Sequence, residues 1–223
     1  MSETPEPGQP QNPAASTPPI DPRTGEDLSW KHDAMALVLL DRPAPGHREV
    51  GELLAEIFEG SFDVEQGTDD DPATAVRVQD ATVIVQTVDS PVPDGEASRY
   101  TADVAMWNGQ EAVVDDHRSQ VVVAAFRWGP LDDDGEPTEP EYLDPRLETL
   151  RCELAVANVA AALTALPGAV AVSVGGAAVT LPAVPYRDIV VRNPIPTPAL
   201  VGIRAGVQSE TTSCVYTTGL GRF

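Results

Sequence analysis

The stretch Asp144–Leu166 reads DPRLETLRCELAVANVAAALTAL, and its reading decides the fold. Asp144 offers a carboxylate to the free amides of a first helical turn. Pro145 follows where a missing N–H costs nothing, and Pro167-Gly168 stops the run. Glu148 adds negative charge at the positive end of the helix dipole. Leu147, Leu150, Leu154, Ala157 and Ala161 recur at steps of three and four, which predicts one apolar face. Beyond Leu154 the other side is apolar too, through Val156, Val159, Leu163 and Leu166. A helix that becomes apolar all round predicts a rod inside the fold, covered on both sides. Its alanines admit close approach of a sheet. Asn158 reads as a hydrogen-bonded residue of core or rim, because buried amides are normally paired.

The rest of the chain supplies layers for that rod. Ala34–Leu40 (AMALVLL) is a continuous apolar run of strand length, and so is Ser119–Trp128 (SQVVVAAFRW). His47–Glu59 predicts a helix with Val50, Leu53, Leu54, Ile57 and Phe58 inward and its glutamates outward, stopped at Gly60. Phe62–Glu65 alternates like a short edge strand. Ala75–Val78 and Thr82–Gln86 predict a hairpin. Glu96–Val114 reads as a second helix weakened by Gly109, with Tyr100, Val104, Trp107 and Glu111 on one side. After the long helix, Ala169–Val174 and Ala177–Leu181 predict a hairpin turning on Gly175-Gly176, both at positive φ. Pro182–Val191 reads as a helical or irregular bridge and Asn193–Pro198 as an extended linker. Leu200–Val207 and Cys214–Thr218 predict two strands around Ser209–Ser213. The class is α+β, with an antiparallel or mixed sheet, a ferredoxin-like βαββαβ first half, a long central helix and a C-terminal hairpin plus two strands. Residues 1–28 hold seven prolines and almost no apolar side chains, so they predict a disordered tail ahead of one domain over 29–223. Trp30 and His32 stand where order is expected to begin.

Charge narrows the function. The 223 residues carry a net −21, with 35 acids against 14 bases. Residues 168–223 are net +2, so 1–167 hold −23. That argues against nucleic acid and anionic membranes, both of which require a basic footprint. A basic protein is the partner such a surface suits. No apolar stretch approaches the length of a membrane span, and no leader precedes the fold, so a cytoplasmic location is expected. Cys152 and Cys214 lack the spacing of a zinc or redox pair and read as two reduced buried thiols. Asp132–Gly135 with Glu141 imitates part of a calcium loop, but the first ligand position is Pro130 and Pro137 and Pro140 interrupt it. No metal and no cofactor are expected.

No nucleophile elbow, phosphate loop or dinucleotide fingerprint is present. His117, beside Asp115, Asp116 and Glu111, is the one histidine at an element junction within the core region. It reads first as a cap on the end of the preceding helix. A catalytic or ligand role needs a pocket, whose candidate residues are Trp107, Glu111, His117, Pro91, Pro93 and Thr212. Thr212 falls in the expected Thr211–Ser213 turn.

Four stretches in this order resemble a bacterial family, domain of unknown function 4261: ALVLLDRPAP from Ala36, VRVQDATVIVQTVDSPVP from Val76, DDHRSQVVVAAF from Asp115, and the run from the long helix to TTGLGRF. The resemblance spans residues 34–223. It implies a continuation past the TTGL segment through a further strand and helix, so that the chain here is cut short. It brings no activity and no catalytic residue. Two expectations follow. The first is a non-catalytic interaction module of immunity or adaptor type. The second is a small-molecule binder or hydrolase with its pocket near His117.

Overall fold

A computed structural model describes residues 34–78, 81–93, 95–101, 105–107, 111–126, 145–175, 177–209 and 212–218. The proline-rich tail with Trp30 and His32, the acidic loop 129–143, the Asp144 cap, Val104, Gly109, Gly176, Thr211 and the final 219–223 lie outside the described residues. Nine strands and four helices are described: β1 Ala34–Leu40, α1 His47–Ile57, β2 Asp63–Glu65, β3 Thr74–Val78, β4 Ala81–Val88, β5 Ser119–Phe126, α2 Pro145–Leu163, β6 Ala169–Val174, β7 Val179–Pro182, α3 Ala183–Arg192, α4 Thr197–Leu200, β8 Gly202–Ser209 and β9 Thr212–Thr218.

The first seven strands form one open sheet in the order β2-β3-β4-β5-β1-β6-β7, and every neighbouring pair is antiparallel. Among the described residues β8 and β9 pair only with each other. The class is therefore α+β, with an antiparallel rather than mixed sheet. The strand order differs from the ferredoxin-like unit expected for the first half. After β1 and α1 the chain lands at the sheet edge with β2, then steps back through β3, β4 and β5 until β5 lies against β1. The reason is the short β2, which pairs with β3 through Val64↔Val76 and so carries the crossover to the rim.

β1 explains the two layers. Ala34, Ala36, Val38 and Leu40 face one side and are buried. On the other side exposure falls along the strand, from Met35 at 37% through half-buried Leu37 to Leu39 at 0%. A continuous apolar strand needs cover on both faces, and here the second cover reaches only one end. The first face is covered by α2, which contacts β1, β4 and β5 and is flanked by α1 and α3. That is why α2 is apolar all round. Val156, Val159, Ala160 and Leu163 are buried, Leu154 is half-buried and only Asn158 is exposed along 152–163, its amide donating to the Leu154 carbonyl at 2.8 Å. Leu147, placed by spacing on the buried face, is 45% exposed, and Ile57 of α1 is 44% exposed. Each lies at the end of its helix's buried stretch. Helix termini continue the apolar period after packing has stopped.

The second face is covered by the described residues of 89–118. This segment is not the expected single helix over 96–114. Among the described residues it makes three 3-10 turns, Ser98–Tyr100, Ala105–Trp107 and Glu111–Val114. Its helical spacing loses to long-range bonds to the sheet, as weak local preference commonly does. Leu39, Val92, Ala97, Trp107, Val114 and Ala171 make the small core beneath it.

The β6–β7 turn also differs in detail. It spans Gly175–Ala178, closed by Ala178 N–H donating to the Gly175 carbonyl at 3.2 Å. Ala178, not Gly175, holds positive φ, at 50°. The linker expected over 193–198 bends at 194–195 and then enters α4. Thr212 and Ser213, expected in a turn, belong to β9.

Candidate functional site

The cover is fixed to the sheet by polar groups. His117 follows the Glu111–Val114 turn and is buried, with 7% of its surface exposed. Its Nδ1–H donates to the Val114 carbonyl at 2.5 Å, and its Nε2 accepts the Val92 backbone N–H at 2.8 Å. Only a neutral ring protonated at Nδ1 makes both bonds. The expected cap on a carbonyl is therefore present, but it is a dipole–dipole bond rather than a positive charge at a helix end. Both nitrogens are engaged, so in this geometry the ring is not free to act as a base.

Trp107 is buried, and its Nε1–H donates to the Thr180 carbonyl on β7 at 2.9 Å. Thr180 Oγ1 donates to the Ala97 carbonyl at 2.9 Å and lies 3.0 Å from Ser173 Oγ on β6. Gln120 reaches the Ser90 carbonyl at 3.4 Å. These bonds tie both ends of the cover to strands distant in sequence, and each satisfies a group that burial would otherwise penalise.

Within the cover lies a concavity of about 290 Å³, whose walls include Pro91, Pro93, Ser98, Asp115 and His117. Three of the six candidate residues therefore meet there: Pro91, Pro93 and His117. Trp107 and Glu111 do not. Trp107 is a structural anchor of the small core and Glu111 is half-buried outside the concavity's walls; Thr212 belongs to strand β9.

A second concavity, of about 430 Å³, lies between α2 and the end of α3, against Leu154, Asn158, Arg192 and Asn193. Its amides serve their own helices: Asn158 bonds to Leu154 O, and Asn193 Nδ2 donates to Ile189 O at 2.6 Å. Arg192 pairs with Asp188 at 3.6 Å. Asn158 bonds back within α2, and Asn193 and Arg192 serve the end of α3.

Sequence reading missed one feature of the helical face. Glu153 is a buried carboxylate on α2, and Tyr186 on α3 is buried beside it. Burial, and then the Glu153 carboxylate, push the Tyr186 hydroxyl above its ordinary value near 10. The alternating pattern of α2 hides Glu153, since a single acid among apolar residues resembles a solvated position. No group of three or more His, Cys, Asp or Glu that could hold a metal exists among the described residues. Cys152 is buried and forms no disulfide. No helix among the described residues is long and apolar enough to cross a membrane. The chain matches no family model, no curated protein and no solved structure.

Proposed function

We propose that this chain is a non-catalytic, acidic protein-interaction module of immunity or adaptor type, working in the cytoplasm on a basic partner protein. Membership of the domain of unknown function 4261 family belongs to the same proposal and rests on motif order alone. One observation carries the reading. Nine carboxylates between Glu49 and Asp71 are all exposed, on α1, on the edge strand β2 and on the loop before β3. Within residues 47–77 the arginines are Arg48 and Arg77, and Arg77 lies 3.8 Å from Glu65. Charge on an edge strand guards it against pairing with another chain. Asp63 and Glu65 suffice for that. The three glutamates of α1, Glu59 just past its end and Asp69–Asp71 extend well beyond the edge, and their mutual repulsion opposes compactness. A surface of one sign steers a complementary partner and raises its rate of encounter.

The test is affinity capture from a cell lysate at low salt, followed by salt elution and identification. The expected result is a basic protein that elutes as salt rises and is lost with Glu49→Lys, Glu52→Lys and Glu56→Lys together. Capture unaffected by those reversals, or indifferent to salt, defeats the reading.

A second reading is favoured by the concavity itself, which gathers Pro91, Pro93 and His117: a small-molecule binder at that place. A metabolite screen that raises the melting temperature of the wild-type protein supports it. A hydrolase at the same place has less support, because both nitrogens of His117 are engaged.

A further inference from the structure

From the concavity beside His117 we infer a socket for one basic side chain, arginine or lysine, presented by the protein partner. The inference rests on the acidic-module reading and names where an anchor of that partner sits. Size comes first. At about 290 Å³ the space falls at the low end of ligand pockets, enough for one long side chain and small for a cofactor. Its apolar walls, Pro91, Val92, Pro93 and Ala97, suit a methylene stem. Among its polar residues, Asp115 is exposed, and its carboxylate has no ion pair or hydrogen bond among the described residues. Ser98, half-buried on the same wall, offers a hydroxyl. His117 adds no positive charge to compete, since its Nε2 accepts the Val92 N–H. The field points the same way. Among the described residues of 89–118, the five acids Asp89, Glu96, Glu111, Asp115 and Asp116 stand against Arg99 and Arg118, a net negative charge that favours a cation. Buried arginines often dominate the energy of protein interfaces, and they need such a socket.

The experiment titrates the intact chain with Nα-acetyl-arginine methylamide while following backbone amide resonances. Nα-acetyl-citrulline methylamide, of the same shape without charge, is the control. The arginine probe should shift Val92, Ser98, Asp115 and His117 saturably. Citrulline, and separately Asp115→Asn, should weaken binding about fivefold, the upper end for an exposed ion pair. Asp115 is exposed, so the variant keeps the fold. Equal binding of the two probes, or shifts spread over α1 instead of these four residues, overturns the socket. Glu52→Lys with Glu56→Lys separates the two ideas. These reversals should leave the probe titration unchanged while releasing the captured basic protein. Release without probe binding retains the module and rejects the socket. Probe binding with no effect of the reversals on capture rejects the module and, with it, the proposed occupant.

Discussion

The two faces of the sheet are held by different physics. On the helical face, α2 meets β1, β4 and β5 through small and branched apolar side chains, and α1 and α3 close its flanks. Stability there is area removed from water, spread over many contacts. On the other face, the small core under Trp107 is supplemented by discrete bonds: His117 to Val92 and Val114, Trp107 to Thr180, and Thr180 to Ala97. Apolar packing yields gradually and globally when cut. A set of polar tethers fails locally, one tether at a time. The site beside His117 stands on the second kind of support, where part of the molecule can open without unfolding the rest.

The largest expected effect tests the first half of that contrast. Leu163 is fully buried at the last turn of α2. Leu163→Ala should cost about 2–5 kcal/mol in chemical denaturation. Hydrogen exchange should quicken in β1, β5 and the cover together. Exchange confined to α2 would show that the helical face is not the common core.

Next in size is His117→Ala. It leaves the Val92 N–H and the Val114 carbonyl without their partner, at about 1–3 kcal/mol for an unmade buried bond. The loss should be local. Amide exchange over 92–118 should rise while β1 and α2 keep their protection. A uniform rise across the chain would mean that the cover and the helical core form one cooperative unit.

What was legible in the sequence follows the same division. α2, β1 and β5 were readable because an all-apolar helix and an apolar strand each announce burial within a few residues. Gly60 announced the end of α1, and it does hold positive φ, at 71°. The cover was misread as a helix because Tyr100, Trp107 and Glu111 imitate a helical face. What shapes it is Trp107 reaching Thr180, 73 residues away, and no local window contains that bond. The order of strands was hidden for a related reason, since a three-residue β2 decides where α1 delivers the chain. Pro91, Pro93 and His117 could be grouped because prolines shape loops and a histidine at a junction draws scrutiny. Asp115 could be grouped with His117 as its near neighbour in sequence, but Ser98, on the same wall, carries no signal that separates it from any solvated loop.

A smaller effect sharpens the contrast from inside the apolar face. Tyr186 is a polar exception there, with its hydroxyl buried and without a hydrogen bond among the described residues. Tyr186→Phe should change stability at neutral pH by at most about 1 kcal/mol, in the stabilising direction, because an unpaired hydroxyl is removed. The pH dependence has a definite sign. The folded state keeps the phenol proton above 10, where the unfolded chain loses it. The phenol's contribution is therefore complete below the unfolded value and is lost as pH rises past it. Wild-type stability should fall above pH 10, and Tyr186→Phe should flatten that part of the decline. An identical alkaline slope in the variant would place the titration elsewhere.

The smallest effect concerns the hairpin that receives the cover's tethers. Among the described residues, two positions between α2 and β7 take positive φ. One is Gly168, at 81°, where glycine meets the demand without steric cost; the other is Ala178, at 50°. A left-handed residue with a Cβ costs roughly 1–2 kcal/mol. Replacing it by glycine recovers that cost but returns about 0.4–1 kcal/mol as freedom of the unfolded chain. Ala178→Gly should therefore stabilise by only a few tenths of a kcal/mol to about 1 kcal/mol by that difference. The gain should appear in global unfolding, with exchange over 92–118 unchanged relative to it, since Thr180 and Ser173 keep their places. If the cover loosens instead, the turn at Ala178 is what aims Thr180 at Ala97 and Trp107. The strain would then belong to the tethered face, and the two faces would be coupled through the β6–β7 hairpin.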